Sequence, residues 1–269
     1  MESSVKSLHF VVCVKQVPDT KQITGDAMKP DGTINRAALP AIFNPEDRCA
    51  LEAALAVREA CGGTVSVVTM GLPSATAILR ESLFCGADDA YLVTDRRAAA
   101  SDTLATSYIL SQAVAKLQPD LVFCGRQAID GDTAQVGPQI AEKLGFALVT
   151  YVEALEVRDG AAYATRNIGD GTEKVRTSLP ALFTVSAAFG ELRPFNFRRV
   201  MKYKASEPVV WNLDDISADL FRCGKAGSPT NVAKVQSVVL AGGDYRAFEP
   251  TDAGVRELVG SLVQDHTLG

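Results

Sequence analysis

The chain alternates short, almost wholly apolar runs with longer stretches whose apolar residues recur every three or four positions. Leu8–Val14, Thr64–Thr69, Ala90–Val93 and Asp120–Cys124 are runs of the first kind, as expected of strands buried on both faces. Between them, 45–61 places Ala50, Leu51, Ala54, Leu55 and Val57 on one stripe, and 73–84 does the same with Ala77, Ile78 and Leu83. Stretches 101–117 and 133–144 complete four predicted helices. Asn44-Pro45-Glu46-Asp47 supplies a capping side chain, a first-turn proline and two acids for the first helix, and Ser101-Asp102 does so for the third. Gly62-Gly63 and Gly145 read as helix stops. Strand–helix alternation of this kind predicts an α/β fold, an open and mostly parallel sheet with helices on both faces.

Beyond Gly145 the period changes. Val149–Val157, Ala161–Ile168 and Thr172–Leu179 are β-rich and broken at Asp159-Gly160 and Gly169-Asp170-Gly171, which predicts a β-hairpin extension. Leu182–Val185 is one more apolar strand. From Phe189 the chain reads as basic and irregular, and from Ser206 as an extended arm with little periodicity before a short amphipathic helix over 252–265. The arm carries isolated apolar residues, Trp211, Leu213, Leu220 and Phe221, which are expected to be buried on another subunit if the arm is not simply a flexible tail. Two units are expected, a ligand-binding domain over 1–190 and a partner-recognition segment with its arm over 191–269.

Composition narrows the chemistry. The 269 residues are 47% hydrophobic and 22% charged, with 27 basic against 32 acidic side chains, a mild excess of acid that argues against nucleic acid as partner. No run reaches the roughly 18 apolar residues of a membrane span, and the start of the chain has no signal-peptide core. Six scattered cysteines without C-x-x-C spacing fit buried, reduced thiols of a cytoplasmic protein. Only His9 and His266 are present, so a histidine-based catalytic or metal centre is nearly excluded. Any chemistry is expected to come from a bound group.

In an open parallel sheet that group binds beyond the carboxyl ends of the strands. The segment Gly125-Arg126-Gln127-Ala128-Ile129-Asp130-Gly131-Asp132-Thr133-Ala134-Gln135-Val136 runs from such a strand end into a helix expected to begin near Asp132-Thr133. Its first-turn amides suit a nucleotide phosphate, although neither G-x-x-x-x-G-K-[ST] nor G-x-G-x-x-G occurs, and a capped helix after an acidic loop fits the residues equally well. Asp130 and Asp132 oppose an anion unless they point away or meet ribose hydroxyls. Lys15 suits a phosphate or plain solvation. Arg126 suits a flavin or an ion pair with Asp132, and Asp102-Thr103 suits the crevice or simple capping.

The segments Val14-Lys15-Gln16-Val17-Pro18-Asp19-Thr20, Asn44-Pro45-x-Asp47 and, above all, 125–139 resemble the beta subunit of electron-transferring flavoproteins over essentially the whole chain. The resemblance implies a nucleotide-binding domain related to adenine-nucleotide hydrolases, and a C-terminal arm that embraces an alpha subunit carrying the electron-transferring FAD. It places nucleotide contacts at Cys13, Asn44, Pro45, Glu46, Asp47, Met70 and Gly125 through Val136, with the phosphate turn at Thr133–Val136. The loop 130–136 and the stretch Ser101–Thr106 look like the electron-bifurcating branch. That implies FAD in this subunit, NADH as donor, and electrons divided between ferredoxin or flavodoxin and, through the alpha subunit, a partner dehydrogenase. Arg126 is then expected to tune the flavin. The alternative is an AMP-binding, non-bifurcating subunit serving acyl-CoA dehydrogenases; an isolated nucleotide hydrolase is a further one. Phe197 aligns with the family's partner-anchoring leucine and is expected either there or in the core. Gly190–Phe197 departs from the bifurcating pattern, which leaves the dehydrogenase open, and subfamilies also differ past Gly242.

Overall fold

The computed structural model describes residues 7–19, 39–230 and 246–268. Thr20 and the extension past Gly242 lie wholly or partly outside these residues. Eleven strands are present among them: β1 (His9–Cys13), β2 (Gln16–Pro18), β3 (Ala41–Phe43), β4 (Thr64–Met70), β5 (Asp89–Val93), β6 (Leu121–Gly125), β7 (Ala147–Arg158), β8 (Ala161–Asn167), β9 (Thr172–Ser178), β10 (Ala181–Val185) and β11 (Val209–Trp211). The helices are α1 (Pro45–Cys61), α2 (Thr76–Cys85), α3 (Thr103–Leu117), α4 (Val136–Leu144), α5 (Phe197–Tyr203) and α6 (Asp252–Gln264). Nine strands form one sheet in the order β11-β5-β4-β1-β6-β10-β7-β8-β9. It is parallel as far as β7 and antiparallel through β8 and β9.

Strand alternation divides the core in two. Phe10, Val12, Val65, Val67, Phe123 and Phe183 face α1 and α2, while Val11, Cys13, Val68, Val122, Cys124 and Leu182 face α3 and α4. Three phenylalanines cross the centre of the first face, Phe10 to Phe123 at 6.4 Å and Phe123 to Phe183 at 5.6 Å between ring centroids. The helix after β1 therefore lies on one face and the helix after β6 on the other, although β1 and β6 are neighbours. That is a topological switch point, and a crevice opens beyond the carboxyl ends of these two strands.

The hairpin turns at Asp159 (φ 51°) and Gly160 (φ 70°), two left-handed residues in succession, as a type I′ turn requires. β7 is long enough to change partner, pairing with β10 through Val152 and with β8 from there to Arg158.

Two of the helices differ from the sequence reading. α4 starts at Val136, not near Asp132, because Asp132 (φ 48°) and Ala134 (φ 53°) are left-handed and cannot belong to a helix. The basic stretch after Phe189 is not wholly irregular; it contains α5, capped by the Asn196 side chain, which accepts from the amides of Arg198 and Arg199. Arg193 and Arg199 in that stretch are structural, the first bound to Glu52 and Glu59 and the second to the Leu83 and Ala87 carbonyls.

The root of the arm also belongs to this domain. β11 extends the sheet beside β5, so the sheet passes the boundary expected at residue 190. Trp211 packs on Tyr91 with centroids 4.5 Å apart, Leu213 is 0% exposed in the α3–α4 core, and Arg97 bridges Asp95 and Asp214. Leu213 is thus buried and Trp211 half-buried by their own chain, because pairing with the β5 edge carries the root of the arm inward. Leu220 and Phe221 remain exposed.

Candidate functional site

The crevice is a cleft of about 400 Å³ at the ends of β1, β4 and β6, walled by the start of α3 and by the loop 126–135. From β1 come Cys13 and the residues Val14 and Lys15 that follow it; β4 gives Met70, and β6 gives Cys124 and Gly125. Asp102 and Thr103 line it at the start of α3, together with Ser101 and Thr106, which the sequence reading named only within the stretch Ser101–Thr106, and Leu110, which it did not name. Thr106 and Leu110 follow Thr103 at helical spacing, and that periodicity was the signal available for them. Arg126, Gln127, Gly131, Asp132, Thr133, Ala134, Gln135 and Val136 supply the opposite wall.

Four of the expected contact residues stand behind the cleft. Asn44 is fully buried; its Nδ2 donates to the Gln127 carbonyl at 2.9 Å and its Oδ1 accepts from the Ile129 amide at 3.2 Å. Pro45 is in the first turn of α1, and Glu46 accepts from the Gln127 amide and from Arg126, both at 2.8 Å. Asp130 receives Lys15 Nζ on both oxygens at 2.7 Å. These side chains shape the loop. The pair expected between Arg126 and Asp132 is replaced by Arg126–Glu46, with the guanidinium also 5.7 Å from the Tyr151 ring centroid.

Fixing the loop leaves a candidate anion site. Asp130 is committed to Lys15, and Asp132 accepts from Gln127 Nε2 at 3.1 Å. The amides of Thr133, Ala134 and Gln135 have no hydrogen-bond partner among the described residues, and the left-handed turns at 132 and 134 lead straight into the N-terminus of α4. Successive free amides in such a turn form a concave anion receptor, to which the helix end adds its positive pole. Gly137 lets α4 pack close beneath it, since a Cβ there would stand 2.8 Å from Thr184 Cγ2.

Asp47 ties the floor together. One oxygen accepts from the Lys15 amide at 2.8 Å and the other from the Gly125 amide at 3.0 Å, joining α1 to the ends of β1 and β6. Burial pushes its pKa from 3.8 up to about 7, outweighing the hydrogen bonds that pull it down. Between those two values the native chain holds a proton that the unfolded chain has lost, so the Asp47 contribution to stability declines as pH rises from 3.8 towards 7. The Tm difference between wild type and Asp47→Asn is therefore expected to shrink across that window, because only the wild type carries this penalty. A difference that stays constant with pH would contradict the assignment.

Asp102 joins the cleft to the arm. Its Oδ1 caps α3 by accepting from the Ala105 amide at 3.0 Å, and its Oδ2 accepts from the Thr230 amide and hydroxyl at 3.1 and 2.6 Å. Thr103 donates to Gln135 across the cleft at 2.9 Å.

Among the described residues no group of three His, Cys, Asp or Glu side chains could hold a metal ion, and no helix is long and apolar enough to cross a membrane. The six cysteines are unpaired, five of them buried, and burial raises the Cys85 thiol to about 11. Phe197 opens α5 and is 76% exposed, so of the two expectations for it the core is excluded.

Residues 31–216 match the electron transfer flavoprotein domain. The electron transfer flavoprotein subunit beta of Clostridium acetobutylicum is 40% identical over 96% of this chain and 99% of its own length. Protein FixA of Azorhizobium caulinodans is 43% identical over 93% of this chain and 94% of its own. The caffeyl-CoA reductase-Etf complex subunit CarD of Acetobacterium woodii is 42% identical over 95% and 97%. With the domain matched over most of the chain and relatives aligned nearly end to end, this chain belongs to the electron transfer flavoprotein beta-subunit family.

Proposed function

We propose that the chain is the beta subunit of a cytoplasmic, heterodimeric electron-transferring flavoprotein of the bifurcating kind, and that its cleft holds FAD. The observation that carries this reading is the run of amides at 133–135 before α4 that have no partner among the described residues, at a switch-point crevice. When bound there, FAD supplies two-electron acceptance from NADH and one-electron release, one electron toward ferredoxin or flavodoxin and the other through the alpha-subunit FAD to a dehydrogenase. The chain's own residues do the rest. The amides of Thr133, Ala134 and Gln135 take a phosphate, and Lys15 is held beside the loop by Asp130. Arg126, oriented by Glu46, puts a cation on the cleft wall that favours an anionic ring system. Exposed Phe197, with Phe195 and Met201, offers the dehydrogenase an apolar anchor. CarD, by its name, belongs to a caffeyl-CoA reductase-Etf complex, which supports a partner that acts on a CoA thioester.

The size of the cleft favours a second reading. About 400 Å³ suffices for AMP, which would use the same amides in a subunit that serves acyl-CoA dehydrogenases without a redox centre of its own. Arg126→Ala tests the part of the flavin reading that rests on this side chain. If the cleft holds flavin, the variant heterodimer is expected to retain it about tenfold less tightly or weaker still, since a hydrogen bond to a charged group contributes roughly 1.5–3 kcal/mol. Unchanged flavin content together with unchanged bleaching by NADH would remove Arg126 from this role.

A further inference from the structure

A second cavity, of about 350 Å³, lies between α3, the end of α4 and the returning arm. Its wall carries two cations, Lys143 from the last turn of α4 and Arg222 from the arm. The Arg222 guanidinium sits 3.9 Å from the Tyr108 ring centroid, and Tyr108 is itself fixed, its hydroxyl accepting from the Asp219 amide at 2.8 Å. Neither cation makes a salt bridge among the described residues. Burial and the nearby Arg222 charge lower the Lys143 pKa, with Glu142 offsetting part of this. Lys143 is half-buried and Arg222 exposed, and holding two like charges together at the cavity is unfavourable unless an anion joins them.

The same cavity is lined by Leu104 and Phe221, which are 41% and 86% exposed, and Leu220 beside them is 43% exposed. A small ion between Lys143 and Arg222 would neutralise the charges but leave Phe221 in water. A polypeptide surface carrying an acid amid apolar residues satisfies both, and aromatic and arginine side chains placed together are typical anchors of such surfaces. We infer that this cavity receives an acidic side chain of the alpha subunit between Lys143 and Arg222, with Phe221 packed against apolar residues around it. The inference rests on the heterodimer reading above and adds the place where the arm of this chain holds its partner.

The test is heterodimer affinity, measured by sedimentation with the purified alpha subunit for wild type, Arg222→Glu, Lys143→Glu and Arg222→Lys. Each charge reversal is expected to weaken association about 30-fold or more, the lower bound for losing one member of a desolvated charge pair. Arg222→Lys is expected to recover most of that loss, and added salt should weaken the wild-type complex more than either reversal. Fluorescence of Trp211, the only tryptophan, verifies that the arm's root stays seated on Tyr91 in every variant. Affinities within threefold of wild type for both reversals would overturn the inference. So would free glutamate or citrate filling the cavity without competing with the alpha subunit, which would make it a small-anion site. One FAD and one AMP per heterodimer, with the reversals still weakening assembly, would remove the flavin reading and leave this one standing. No assembly of the wild-type chain with the alpha subunit would remove both.

Discussion

Gly125→Ala is expected to lower stability by about 3 kcal/mol and to abolish nucleotide retention. A Cβ at this position would overlap Asp47 Oδ1 and stand 2.7 Å from both the Asp47 nitrogen and the Glu46 carbonyl carbon. Two of these three atoms are backbone at the start of α1, which cannot rotate away as a long side chain would. The wedge must part β6 from α1, breaking the bond from the Gly125 amide to Asp47 and displacing Glu46 from Arg126 and the Gln127 amide. The loop that carries the free amides would then lose its supports. Gly131→Ala is the matched control, because a Cβ there meets nothing within 4 Å, and its Tm is expected to stay close to that of wild type. Thermal melts and nucleotide content of the two variants check the claim. Equal behaviour of both variants would show that the α1–β6 junction does not support the cleft.

Leu213→Ala is expected to cost about 3 kcal/mol even in the isolated chain, as removal of a fully buried leucine does. Leu213 is buried beneath α3, its amide donates to Asp95 at 3.3 Å, and Asp95 also receives Arg97. Phe221→Ala is expected to leave the isolated chain unaffected and to act only on assembly, since that ring is exposed. Denaturant unfolding of the lone subunit distinguishes the two positions. A Leu213 variant as stable as wild type would mean that the arm's root contributes nothing to this domain.

The contrast between those two residues explains how far the sequence could be read. Continuous apolar runs gave away β1, β4, β5, β6 and β10, because strands covered on both faces have no polar face to show. Pro45 and Gly62, with φ 76° at the latter, marked both ends of α1, and Asp159-Gly160 marked the hairpin turn. The β2–β3 ladder and β11 are only three residues long, too short to show a period; β11 exists because β5, far away in sequence, offers an edge. The start of α4 was misplaced because left-handed Asp132 and Ala134 are not glycines and leave no mark in the composition. At the cleft, the residue types were legible but the division of labour was not. Asn44, Glu46 and Asp130 bond to groups 80 or more positions away in sequence, so only the fold shows that they hold the loop from behind.

The most direct test is the nucleotide content of the purified heterodimer, released by denaturation and counted by absorbance and mass. Two FAD per heterodimer, with the one held by this chain lost in Gly125→Ala, is the predicted result. One FAD and one AMP would contradict a flavin in this cleft.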